Sequence, residues 1–146
     1  MLMKKIFLAA PFKSLVNEAN IMQEEAKTEI SNLINYLEGK GYEVHNAHKR
    51  EEWGKQFMTP PQCTEIDFNE IKACDLFIAF PGNPASPGTH IEIGWASALQ
   101  KKIILLLHKN EEHYAYLIRG LHTVANVTYI IYSTKEQYYE QLNNYV

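Results

Sequence analysis

Between Phe80 and Leu99 the sequence reads FPGNPASPGTHIEIGWASAL, an apolar end, a Gly/Pro-rich loop and then a helix-like stretch holding a single carboxylate, Glu92. Ser86 and Pro87 have the chemistry of an N-cap and a first helical residue. Backbone N–H groups left free at such a start attract anions, and Gly88 lets a ligand come close to them. Ser86, Gly88 and Thr89 therefore form a candidate phosphate site. Glu92 falls four residues after Gly88, on the same helical face, so it can touch what the helix start binds. The helix dipole favours its ionised form, which a carboxylate nucleophile requires. Ile91, Ile93 and Trp95 flank it in an otherwise uncharged helix, which separates it from an ordinary solvated glutamate.

The elements that must position these groups alternate between strand-length apolar runs and longer stretches at helical spacing. Lys5 to Ala10 is an almost continuous apolar run, as in a central parallel strand buried on both faces. From Val16 to Leu37 apolar residues recur every three or four positions until Gly39 and Gly41 stop them, which predicts a long amphipathic helix. Tyr42–His45 is a short second strand, and a long polar connection follows through Gln62. Helix 64–73, strand 75–80, helix 88–100, strand 102–107 and strand 127–132 come next. Ser133 with Glu136 reads as a capping box for a last helix. Five strands with interleaved helices predict a three-layer α/β domain around a five-stranded parallel sheet of flavodoxin or Rossmann type, with ligands beyond the carboxyl ends of the strands. Loops 11–16, 46–62 and 81–90 should then meet at one site.

Gly88, Thr89, Glu92 and Gly94 match the G-T/x-x-x-E-x-G pattern that opens a helix in the nucleoside 2-deoxyribosyltransferase superfamily. Upstream, Asp67 followed eight residues later by Asp75 and an apolar strand resembles the family's D-x7-D segment, and Ala9-Ala10-Pro11-Phe12 resembles the end of its first strand. The likeness runs over residues 4 to 132. By resemblance, Glu92 is the nucleophile that attacks the anomeric carbon, and Asp67 is the acid that protonates the departing base. Cleavage through an oxocarbenium-like transition state needs just such a carboxylate and proton donor. Asp75 reads as structural.

Within the superfamily, transferases acting on free nucleosides commonly carry an Asp six residues before the catalytic Glu. Here that residue is Ser86, whose hydroxyl can donate to a phosphate that a carboxylate would repel. The resemblance thus implies a nucleoside 5′-monophosphate N-glycosidase that releases the base to water, with base exchange between nucleosides as the alternative. A nucleotide-binding sensor using the same pocket without turnover is a third reading. The phosphoribohydrolases that release cytokinin bases share Pro81, Gly82, Gly88, Thr89 and Glu92, but their loop is tighter. Phe7 stands where many members have a Tyr, and Ala115 is the nearest match to a phosphate-binding Ser that a neighbouring subunit supplies. Phe12, Lys13 and Arg119 are further candidates for substrate contact or for the missing charge. Trp53 is expected to stack on the base, with Arg50 or Glu52 reading its polar edge. By family analogy the chain forms a homodimer.

The balance of 14 Lys+Arg against 17 Asp+Glu, with no basic block, argues against a nucleic-acid partner. The longest strongly apolar run, Ile103–Leu107, is far too short to span a bilayer, so a cytoplasmic protein is expected. Cys63 and Cys74 lack CxxC spacing and read as reduced. The scattered histidines suggest no metal, and no cofactor is expected. With 146 residues, 46% of them hydrophobic, one domain over residues 1–146 is the expectation.

Overall fold

Five parallel strands, β1 (Lys5–Ala9), β2 (Glu43–His45), β3 (Leu76–Ala79), β4 (Lys102–His108) and β5 (Val127–Tyr132), form one sheet in the order β2-β1-β3-β4-β5. The computed structural model describes residues 4–10, 24–82, 86–109 and 114–146. Such an order reverses direction between β1 and β3, where the connections leave toward opposite faces and open a crevice at the strand ends. Pairing runs in register from Ile6 with Leu76 to Ala9 with Ala79, and Ile103 to His108 pair with Val127 to Tyr132.

Alternate strand residues feed two cores because successive side chains point to opposite faces. Ile6, Leu8, Ile78, Ile104 and Leu106 pack with α1 (Glu24–Gly39) and α6 (Lys135–Leu142). Phe7, Phe77, Ala79, Ile103 and Leu105 pack on the other side with α3 (Pro60–Ala73) and α4 (Pro87–Ala98). These strands are buried on both faces, which is why they read as unbroken apolar runs. Asp75 has the structural role expected of it: its carboxylate accepts the Lys5 amide at 2.8 Å and ties β3 to the start of β1. Both cysteines are free.

Three boundaries differ from the sequence reading. The helix expected at 64 starts at Pro60, because Thr59 and Gln62 cap it reciprocally and both prolines occupy positions whose N–H would be unpaired anyway. The last capping box is Thr134 with Gln137, one residue after the expected Ser133 and Glu136, since Ser133 still follows on from β5. The connection after β2 also contains two short turns, α2 (Ala47–Arg50) and a 3-10 turn at Glu52–Gly54. The first eight residues of the helix expected from Val16 to Leu37 lie outside the described residues. No helix among the described residues is long and apolar enough to cross a membrane.

Candidate active site

A cavity of about 610 Å³ opens beyond the carboxyl ends of β1 and β3, within the size range of small-molecule sites. Helix α3 presents Pro60, Cys63, Thr64 and Asp67 to it, one face at helical spacing. Helix α4 contributes its first turn and Glu92, and the segment after β2 contributes Asn46, Arg50 and Glu51. Asn46 locks that segment to the strand end: its amide donates to the Leu8 carbonyl at 3.0 Å, and its Oδ1 accepts the Lys49 amide. His48 is fully buried with Nε2 3.3 Å from the Ala10 carbonyl, and burial pushes its pKa down to about 4 despite that contact.

Asp67 and Glu92 form a hydrogen-bonded carboxyl pair in the cavity. Burial raises the Glu92 carboxyl to about 9, the Asp67 charge and hydrogen bond add to this, and the Arg50 charge opposes it. Burial works against the Asp67 carboxylate too, but hydrogen bonds involving His45, Arg50 and Glu92, with the Arg50 charge, outweigh it and hold Asp67 below its ordinary value. Arg50 Nη1 donates to Asp67 Oδ1 at 2.5 Å and lies 3.0 Å from His45 Nε2. His45 in turn stacks on Phe7 and places Nδ1 3.8 Å from Glu70. At neutral pH the pair holds one proton, which resides on Glu92. This corrects the expectation of an ionised Glu92: the residue is in the second turn of α4, where the dipole has faded, and burial beside a carboxylate dominates.

The α4 start is open. Ser86 is its N-cap in extended conformation, yet the hydroxyl makes no capping hydrogen bond. Thr89 is buried, and a side-chain carbon added at Gly88 would meet only Ser86 Oγ, at 3.7 Å. Nothing among the described residues therefore demands glycine at 88, while a ligand seated on the amides would.

A family model described as nucleoside 2-deoxyribosyltransferase matches residues 6–141. The chain belongs to this family. It is thus an enzyme acting on the nucleoside N-glycosidic bond, and its relatives include close structural matches. The Clostridium botulinum CMP N-glycosidase BcmB is 54% identical, with a TM-score of 0.78 over 98% of this chain and 100% of that one. The solution structure of BlsM is 48% identical, with a TM-score of 0.84 over 97% and 88%. A conserved protein from Enterococcus faecalis V583, 16% identical with a TM-score of 0.66 over 99% and 100%, shares the fold. No curated protein sequence matches.

Against the family pattern, the fold brings Glu92, Asp67, Ser86, Gly88, Thr89 and Arg50 to one cavity. Phe12 and Lys13 lie outside the described residues. Arg50 holds Asp67 and His45 through Nη1 alone, and its buried Nε and Nη2 have no partner among the described residues, so a donor edge remains at the cavity. Trp53 does not line the cavity. It packs against the α1-side core with the Lys27 ammonium 5.8 Å from its ring centre, because Glu52, Trp53 and Gly54 all adopt positive φ and turn the chain back. Glu52 is likewise absent from the lining, and Glu51, Phe57 and Met58 take the place expected of these two. No periodicity marks such a turn. The signal available was Trp53-Gly54, a left-handed conformation that glycine tolerates.

Proposed function

We propose that this chain hydrolyses the N-glycosidic bond of cytidine 5′-monophosphate or a close relative, releasing the free base and the sugar 5-phosphate. The single observation that carries the reading is the Asp67–Glu92 carboxyl pair in one cavity, one helical turn from the α4 start where Ser86 makes no capping hydrogen bond. The BcmB likeness supports CMP as the substrate class. Ser86, in place of a second carboxylate, suits a phosphate dianion.

With the phosphate on the α4 amides and the Ser86 hydroxyl, C1′ lies over Glu92 and the base extends toward α3 and the 51–58 segment. The shared proton passes from Glu92 to Asp67. The Glu92 carboxylate then attacks C1′, the C1′–N bond breaks with its electron pair going to the base, and Asp67 delivers the proton to the base. Water attacks the glycosyl ester, its proton returns to Asp67, and Glu92 leaves as carboxylate. The active unit is one domain over residues 1–146, working in the cytoplasm as a homodimer, with the exposed Tyr116 and Leu117 on α5 (Tyr116–Arg119) as part of the contact.

The test is base release from CMP and from cytidine, with and without adenine as acceptor. Free cytosine from CMP in water, lost in Glu92→Gln while CMP binding persists, is expected. A second nucleoside formed at the expense of hydrolysis would make the chain a transferase, and binding without any base release would make it a sensor.

A further inference from the structure

Glu51 is 6% exposed, the one buried acidic or basic side chain besides His48 among the described residues, and it lines the cavity. One carboxylate oxygen accepts the Met58 amide at 3.0 Å, and the Glu51 carbonyl accepts the amides of Gly54 and Gln56 at 3.2 and 3.1 Å. The described residues give the second oxygen no donor. Securing the loop through one amide occupies one oxygen, and the other is not among the buried atoms left without a partner, so it is open to what enters the cavity.

The position of Glu51 fixes which part of a nucleotide that is. Its bond to the Met58 amide, two residues before Pro60 opens α3, places the Glu51 carboxylate by the N-terminal end of that helix, while Asp67 lies two turns further along the same cavity face. Cys63 and Asp67 are four residues apart, about 6 Å along a helix, which is the scale of a pyrimidine ring. With the glycosidic nitrogen at Asp67, the far edge of the base faces Glu51. Cytosine presents an amino donor on that edge, whereas uracil and thymine present a carbonyl acceptor.

Resting on the reading under Proposed function, we propose that Glu51 reads the base, its unpaired oxygen accepting the exocyclic amine of cytosine and repelling the carbonyl of uracil. Met58 keeps the carboxylate aimed by occupying the other oxygen, so attraction to one base and rejection of the other come from one side chain.

The experiment measures the dissociation constants of CMP and UMP by calorimetry in the non-cleaving Glu92→Gln protein, with and without Glu51→Gln. Glutamine keeps an acceptor for the Met58 amide, and Glu51→Asp, which keeps the charge but draws it back, serves as a second variant. The expected result is a CMP preference of about a hundredfold or more that falls at least tenfold in Glu51→Gln, chiefly through tighter UMP and weaker CMP binding. An unchanged CMP-to-UMP ratio in both variants, or no binding of either nucleotide, overturns the assignment. Wild-type cleavage of CMP is scored separately. Cleavage with an unmoved ratio sinks only the role of Glu51, and base-dependent binding without cleavage sinks the reaction.

Discussion

Replacing Asp67 by Asn should return Glu92 to an ionised carboxylate near neutral pH. Two of the three influences that raise Glu92 come from Asp67, its charge and its hydrogen bond, and both act with burial. At hydrogen-bonding range, with an effective dielectric constant of about 20, a unit charge contributes roughly 4 kcal/mol, or about three pH units. Arg50 opposes it in the wild type and loses its carboxylate partner in the variant, so its charge then acts on Glu92 alone. Burial is untouched and keeps Glu92 above its ordinary value. The midpoint should therefore fall from about 9 by roughly two units or more. Carboxyl carbon NMR of glutamate-labelled protein, with the Glu92 signal assigned by its loss in Glu92→Gln, measures this directly. A midpoint that stays near 9 in Asp67→Asn would refute the shared proton and leave burial as the whole cause. Base release should still fall in the same variant, since an ionised nucleophile without a proton donor cannot help a poor leaving group depart.

Other outcomes follow from single features. Asp67→Asn should slow poor leaving groups more than good ones, and equal losses in kcat/KM across a series of bases would contradict its acid role. Gly88→Ala should leave Tm nearly unchanged, because among the described residues the added carbon meets only Ser86 Oγ at 3.7 Å, yet lower kcat/KM for CMP roughly tenfold or more by crowding the phosphate. Folded His48 resists protonation until about pH 4 while the unfolded chain takes a proton near 6.5, so stability is retained above about 6.5 and declines as pH falls toward 4. That loss should reach about 3 kcal/mol in denaturant titrations and vanish in His48→Gln. Trp53→Ala should cost roughly 2 to 3 kcal/mol of stability. A KM for CMP that rose strongly with no loss of stability would return Trp53 to the base.

The sheet was legible because its strands are buried on both faces: Ile6–Ala9, Leu76–Ala79 and Ile103–Leu107 admit no polar alternation. The helix start at Ser86 and the spacing from Gly88 to Glu92 were legible because caps and helical faces are local properties. What escaped depends on three-dimensional neighbours. The protonation of Glu92 is set by Asp67 and Arg50, 25 and 42 positions away in the sequence. Trp53 was misplaced because three successive positive φ angles, two of them at non-glycine residues, reverse the chain and exchange its inner and outer sides. Pro60 and Pro61 read as loop until Thr59 and Gln62 are seen capping one another.

That reversal has a consequence of its own. Trp53 is anchored in the α1-side core, while Glu51, Phe57 and Met58 line the cavity, so a single short segment ties that core to the site. Left-handed backbone at Glu52 and Trp53 is costly and survives only while both ends are held. Substitutions deep under α1, remote from any substrate atom, can therefore retune which base is accepted, and through Arg50 on the same segment they reach Asp67 as well, so selectivity and reaction respond together to changes far from the cavity.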